Sequence, residues 1–348
     1  MSIIQTKTYQ NLRDKLKNIM PDFEIQQKAE LAVKINRLKK ERGAVILGHN
    51  YMEPGLYHSI PDFKGDSFEL SRQAAQTQCD PIIFCGVRFM AETAKILNPE
   101  KTVLIPSLEA GCSLAASITA NDVKQLRKRF PGVPVVTYIN TYADVKAESD
   151  ICCTSGNAQA VIESLNSQTV IFLPDEYLAK NVARECGKHI IFPVDKPIPQ
   201  KLQDPNIEYH LVGWHGKCEV HEEFTVEDVE NVRKQFPEVL VLAHPECSPE
   251  VVESADFSGS TTAIIRFVEN SKAKNYLLLT ECSMADNIVA ENPDKEMLQL
   301  CSVRCPHMNQ ITLEDTLDAL SHNQYEITVP RDIQRRAKKA VDRMLTIH

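Results

Sequence analysis

Several features that would fix the class of this 348-residue chain at once are missing from it. Its first residues, MSIIQTKTYQNLRDKLKN, carry no apolar core of a secretion signal, and no apolar run approaches the roughly 20 residues needed to cross a bilayer. No Lys/Arg stripe is long enough to follow a phosphate backbone, and the net charge is −8, which argues against a nucleic-acid partner. The expectation is a soluble cytoplasmic protein with neither membrane nor nucleic acid as partner. No Cys-x2-Cys pair occurs, so the common zinc-finger spacing is excluded. An odd number of cysteines without a secretion signal also argues against a disulfide framework.

The chain is nevertheless rich in cysteine, with eleven residues, and that leaves metal or redox chemistry. Most need no such role. Cys79, Cys85, Cys152, Cys153 and Cys282 sit in or beside apolar runs and read as small buried hydrophobes. Residues 7–42 are rich in Lys, Glu, Gln and Leu at helical spacing, with Gly43 as a stop. Near the other end, Ile333, Ala337, Ala340, Val341 and Met344 mark a second amphipathic helix. Both are expected to pack on the outside with solvated charged faces.

Between them the chain repeats itself three times. An apolar strand ends in polar residues at 44–51 (AVILGHNY), 133–141 (VPVVTYINT) and 238–247 (EVLVLAHPEC). A small-residue turn then opens a helix: GDSFELSRQAA, CTSGNAQAVIESL and GSTTAIIRFVEN. A second buried strand and helix follow, and each unit closes on an apolar stretch that runs into a cysteine: Cys112, Cys218 and Cys305. Ser67 to Cys112 spans 45 residues and Thr261 to Cys305 spans 44. Ser155 to Cys218 spans 63, the excess falling in a proline-rich insertion, FPVDKPIPQKLQDPN, at 192–206. Strands alternating with helices imply βαβ crossovers and parallel sheets covered by helices. The predicted fold is α/β: three homologous three-layer αβα domains arranged with pseudo-threefold symmetry about a central active site. The expected limits are a helical segment 1–43, domains 44–112, 113–218 and 219–305, and a helical segment 306–348 returning to the first domain.

Ligands bind outside the carboxyl ends of parallel strands. His49, Tyr51, Tyr138, Asn140, His244 and Glu246 lie at such ends. Ser67, Ser155 and Thr261 lie at helix starts, where free N–H groups and the helix dipole favour a carboxylate or phosphate. The plainer reading makes these hydroxyls helix caps, with Asp66 and Glu69 resembling a capping box, and the strand-end residues satisfied polar groups. One thiolate from each repeat, with Pro306 after Cys305, fits an iron–sulfur cluster with three protein ligands and one open, Lewis-acidic iron. Zinc bound by the three cysteines is the main rival.

At these residues the chain closely resembles the quinolinate synthase family. The matching stretches are GHNYMEP, GDSFELSR, GVRFMAETAKIL, PSLEAGCSL, VVTYINT, CTSGNA, HPEC, GSTTAI and CPHMNQITLEDTL, and the likeness runs from about residue 30 to the end. It implies three α/β domains around one 4Fe–4S cluster on Cys112, Cys218 and Cys305, with one iron open. It implies an enzyme of NAD biosynthesis that condenses iminoaspartate with dihydroxyacetone phosphate, releasing phosphate and water, and that depends functionally on L-aspartate oxidase. Substrate contacts carry over to His49, Ser67, Tyr138, Asn140, Ser155, His244, Glu246 and Thr261. Catalytic candidates are Glu246 as general base, with His49, Tyr51 and His244. The chain departs from members with a CxxCxxC run near the last ligand, since it reads Cys301-Ser-Val-Arg-Cys305, and Cys305 is favoured for its Cys-Pro pairing. Two other classes stand as alternatives: a metal-dependent aldolase or dehydratase on the same scaffold, and a non-enzymatic cluster-based sensor.

Overall fold

The structure is a computed structural model that describes residues 3–192, 211–300 and 303–347. Most of the proline-rich insertion, and Cys301, lie outside the described residues. Runs of Val, Ile, Leu and Phe form strands buried on both faces, as expected for parallel sheets covered by helices. The first sheet contains β1 (Val45–His49), β2 (Phe63–Gly65), β3 (Ile82–Cys85) and β4 (Val103–Leu104). The second contains β5 (Val135–Tyr138), β6 (Ile151–Cys153), β7 (Val170–Leu173), β8 (Ile190–Ile191) and β9 (Leu211–Val212). The third contains β10 (Leu240–Ala243), β11 (Phe257–Ser258), β12 (Asn275–Leu279) and β13 (Glu296–Gln299).

The strand orders are β2-β1-β3-β4, β6-β5-β7-β9-β8 and β11-β10-β12-β13, and every pairing between these strands is parallel. The three sheets thus share one topology, and the second adds β8 as an outer strand. The short strands β2, β6 and β11 have no counterpart in the sequence reading, which placed a turn there. Two or three residues are too few to display a period of two.

A repeated aspartate shows how deep the likeness of the units goes. Asp62, Asp150 and Asp256 each precede the short edge strand, and their carboxylates accept the backbone N–H of Ile46, Val135 and Val241 at 2.7–2.8 Å. The aspartates' own N–H groups donate to the carbonyls of those same three residues. A basic side chain from a packed helix pairs with each: Lys39, Arg127 and Arg233, at 2.8–2.9 Å. Each tie pins the loop before the edge strand to the start of the central strand. Gly48 is required by a neighbouring contact, because a Cβ there would lie 2.7 Å from Pro61 Cγ.

The amino-terminal segment is two helices, Ile3–Leu16 and Asp22–Arg42, and not one continuous stretch. Pro21 stands at the break: its ring clashes with the carbonyl four residues earlier and it has no N–H to give. Gly43 ends the second helix in the left-handed region at φ 64°. The last helix, Arg331–Met344, buries Ala337, Ala340, Val341 and Met344 and lies between the first two units. Gln334 reaches Lys95 O at 2.7 Å on one side, and Arg336 reaches Glu148 at 2.5 Å on the other.

Asp150→Ala leaves the Val135 N–H without its side-chain acceptor and should cost about 1–3 kcal/mol in urea unfolding. Asp150→Asn, whose amide oxygen can still accept, should cost less. Equal and negligible losses would mean that the tie carries no stability.

Candidate active site

The carboxyl ends of β1, β5 and β10 open on one cavity of about 710 Å³ measured out to its mouth. Its wall includes His49, Tyr51, Ser67, Tyr138, Asn140, Ser155, His244, Glu246 and Thr261, together with Cys112, Cys218 and Cys305. Every site residue expected from the sequence is therefore in one place. The aspartate ties explain why. Counted from the tied strand residue, His49, Tyr138 and His244 stand three positions on, and Tyr51, Asn140 and Glu246 two further. Counted from the aspartate, Ser67, Ser155 and Thr261 stand five positions on. One backbone template presents three different sets of side chains.

Capping does not consume the hydroxyls. The helix Ser67–Gln76 is capped by Asp66, whose carboxylate accepts from Phe68 N and Glu69 N at 3.0 Å. The expected capping box is not formed, because the Glu69 carboxylate turns away to Thr262 and Arg266 at 3.1 and 2.9 Å. The helix Thr261–Asn270 is capped by Ser260, which also donates to Asp66 at 3.0 Å and so ties the two helix starts together. Ser67 and Thr261 are thus first helical residues, and Thr261 Oγ1 accepts from Asn50 at 2.9 Å. Ser155 differs from expectation: it lies in a turn, and the helix begins three residues later at Ala158.

Both histidines are held in one tautomer. Tyr51 N donates to His49 Nδ1 at 3.2 Å, and Glu246 N donates to His244 Nδ1 at 3.3 Å. A ring nitrogen that accepts carries no proton, so the proton sits on Nε2. Burial lowers the His49 pKa to about 4 and, aided by His221, that of His244 to about 3. Both are neutral N–H donors at physiological pH, suited to polarising a carbonyl or holding an anion. His244 Nε2 lies 3.4 Å from Ser155 Oγ.

Glu246, only 3% exposed, is the buried charge of the site. Burial pushes its carboxyl up, but His221, with help from His244 and Tyr138, outweighs that and holds the pKa at about 2. His221 Nδ1 is 2.7 Å from Glu246 Oε2, and Asn140 Nδ2 donates to Oε1 at 3.1 Å. Asn140 Oδ1 is buried without a hydrogen-bond partner among the described residues, an acceptor left for an N–H donor. His221 was missed in the sequence reading. The signal for it was its place three residues after Cys218, one helical turn away.

The three thiols share a further device. Burial raises Cys112 to about 12, Cys305 to about 11, and Cys218 well above the usual thiol range. Against this, backbone N–H groups two and three residues on lie at each sulfur: Leu114 and Ala115, Val220 and His221, His307 and Met308. Met308 N donates to Cys305 Sγ at 3.5 Å. Buried thiols supplied with amide donors fit thiolates that neutralise a metal centre. Among the described residues the three sulfurs are not gathered within 4.8 Å of one another. Cys218, His221 and Glu246 do cluster within that distance, but the last two are already engaged with each other.

The sequence model of the family described as quinolinate synthetase A protein matches residues 33–346. The chain belongs to this family. It is 49% identical over 336 residues to quinolinate synthase 2 of Mesorhizobium japonicum, covering 97% of each chain. It is 49% identical over 337 residues to quinolinate synthase of Agrobacterium fabrum, covering 97% of this chain and 91% of the relative. Against quinolinate synthase of Xylella fastidiosa it is 51% identical over 313 residues, covering 90% and 86%. Quinolinate synthases act on small molecules, in keeping with a cavity at the strand ends. No helix among the described residues is long and apolar enough to cross a membrane.

The histidines make the metal-free protein acid-sensitive in a defined window. Their folded pKa values lie below the unfolded value of about 6.5, so the unfolded chain binds more protons as the pH falls from 6.5 toward 4. Stability should drop through that window, and less steeply in His244→Asn. Identical slopes for the two proteins in urea unfolding at pH 7 and 5 would count against a neutral His244.

Proposed function

We propose that this chain is a quinolinate synthase of NAD biosynthesis, condensing iminoaspartate with dihydroxyacetone phosphate and releasing phosphate and water. The observation that carries the reading is the single cavity where three amide-supported thiols face a charged carboxylate and neutral imidazole donors. Iminoaspartate is a small dianion, and the first turns of two helices at Ser67 and Thr261, with Ser155 from the third unit, offer N–H and O–H donors to its carboxylates. Tyr138 and Asn140 orient the rest of it, the free Asn140 Oδ1 accepting an N–H. Cys112, Cys218 and Cys305 would hold one 4Fe–4S cluster with a fourth iron lacking a protein ligand. When bound, the cluster supplies a Lewis acid for a substrate oxygen.

The chain's own groups handle the protons. Glu246, kept ionised in a buried site, takes a proton from the carbon that forms the new bond. His49 and His244 donate their Nε2–H groups to the triose oxygens, and Tyr51 supplies or accepts a proton at its phenol. The reading places the enzyme in the cytoplasm, fed with iminoaspartate by an L-aspartate oxidase.

Protein purified without oxygen should be brown, absorb broadly near about 400 nm, and form quinolinate from the two substrates. Colourless protein that binds zinc and makes no quinolinate would reject the reading. Cys112→Ser should lose most bound iron; full retention would remove Cys112 from the ligand set. Glu246→Gln should keep the colour and lose about 10²- to 10⁴-fold in kcat, and normal turnover would exclude it as the base.

A further inference from the structure

Glu246 and Tyr51, to which proton transfer is assigned, stand at the same place in the third and first units, two residues past His244 and His49. In both units the backbone carbonyls on either side of that residue are held by an asparagine from a neighbouring unit. Asn181 Nδ2 donates to Pro245 O at 2.9 Å and to Cys247 O at 3.0 Å. Asn287 Nδ2 donates to Met52 O at 2.8 Å and to Asn50 O at 3.2 Å. The four carbonyls occupy matching positions, and so do the donors. Asn181 lies in the helix Glu176–Glu185 after β7, and Asn287 in the helix Cys282–Glu291 after β12. Each stands six residues past the capping residue of its helix, Asp175 and Glu281. Both asparagines are buried, and neither lines the cavity.

We infer that Asn181 and Asn287 are positioning residues that aim the Glu246 and Tyr51 side chains by clamping the backbone around them. The inference rests on the proposed function and adds two residues to its machinery. One amide nitrogen carries two hydrogens in a fixed fork, so it reaches both carbonyls only when they stand at a set separation and direction. A change in the backbone torsions of Glu246 would move Pro245 O and Cys247 O apart and break one of the two bonds. The same holds for Tyr51 between Asn50 O and Met52 O. The direction of each side chain from its Cα is thereby fixed. The donors belong to other units than the residues they hold, from the second unit to the third and from the third to the first. The placement of both groups thus depends on how the units pack.

Buried carbonyls need partners in any fold, so the plainer reading makes both asparagines mere satisfiers of backbone groups. The second unit argues against it. The residue at the corresponding place there is Asn140, to which only substrate orientation is assigned. The matching position in the helix Arg88–Leu97 is Thr93, whose hydroxyl turns back to Phe89 O at 2.8 Å. Thr141 O accepts from Lys146 Nζ, and Ile139 O accepts from Thr141 N at 2.8 Å. The fold thus satisfies these carbonyls from within one unit, and the amide occurs at the two places where proton transfer is assigned. Asn287 Oδ1 is buried with no hydrogen-bond partner among the described residues. An unpaired buried acceptor lowers stability, so stability alone does not account for an amide there.

The test compares wild-type protein with Asn181→Leu, Asn287→Leu, Asn181→Asp, Asn287→Asp and Thr93→Val, each purified anaerobically, for iron content, thermal midpoint, kcat and KM. Leucine is close to asparagine in size and removes both donors. Aspartic acid keeps the outline and, protonated among buried carbonyls, keeps one. The leucine variants should lose at least about tenfold in kcat with KM within about twofold and iron content unchanged, because a misaimed group slows the chemistry without weakening binding. The aspartate variants should fall between leucine and wild type, and Thr93→Val should match wild type. If a leucine variant does not fold, its aspartate counterpart decides: a kcat loss of about threefold or more at the wild-type thermal midpoint supports the clamp, and full kcat overturns it. Leucine-variant kcat within about twofold of wild type would overturn the inference, as would a raised KM with kcat unchanged. Losses in kcat that only follow iron content or thermal midpoint would assign the amides to the fold and overturn it equally. Wild-type protein that makes no quinolinate would overturn the proposed function itself, and the clamp with it; active wild type with equally active variants would overturn the clamp alone.

Discussion

The 2.7 Å contact between Glu246 and His221 sets the character of the whole cavity. A carboxylate this buried would ordinarily neutralise itself by holding a proton, because removing a charge from water costs several kcal/mol. His221 reverses that, and the retained negative charge then acts on everything around it. It raises the pKa values of Tyr51, Tyr138, Cys112 and Cys218, in each case adding to the larger effect of burial. A site with its thiols protonated and one carboxylate charged is poised to exchange thiol protons for a metal centre, since ligand binding and proton release are coupled.

The threefold scaffold gives this chemistry its asymmetry. The aspartate ties hold the three central strands alike, so residues at equivalent steps arrive at equivalent points around the cavity. At the first step stand His49, Tyr138 and His244; at the second, Tyr51, Asn140 and Glu246. A neutral donor, an amide and a carboxylate face one another because the backbone repeats and the side chains do not. The thiols are the exception. All three units keep cysteine, and all three surround it with the same pair of backbone donors, as expected if a single object occupies the centre.

The same economy appears at the helix starts. Asp66 and Ser260 take over the capping role one residue earlier, which leaves the Ser67 hydroxyl to the cavity. Ser260 also bonds to Asp66, so two helix termini from different units share one anchor. That shared anchor joins the first and third units close to where an anionic substrate would lie.

The sequence by itself determined a good deal of this. Alternating apolar strands and helices, read three times in register, gave the parallel α/β architecture, because buried parallel strands require uninterrupted Val, Ile and Leu. The same register gave one cysteine per unit and the polar strand ends. Other features needed the tertiary structure. The edge strands β2, β6 and β11 are too short to leave a periodic trace, and Pro21 divides a segment whose spacing alone reads as one helix. Whether Ser67 is a cap or a ligand group could not be read from its identity, since Asp66 competes for the same amides. His221 leaves only a weak mark in the sequence, its place three residues after Cys218; that it meets Glu246 at 2.7 Å was decided by the fold. Local sequence encodes which groups a unit carries to its strand ends; which of them meet, and in what protonation state, depends on burial and on neighbours supplied by the other units.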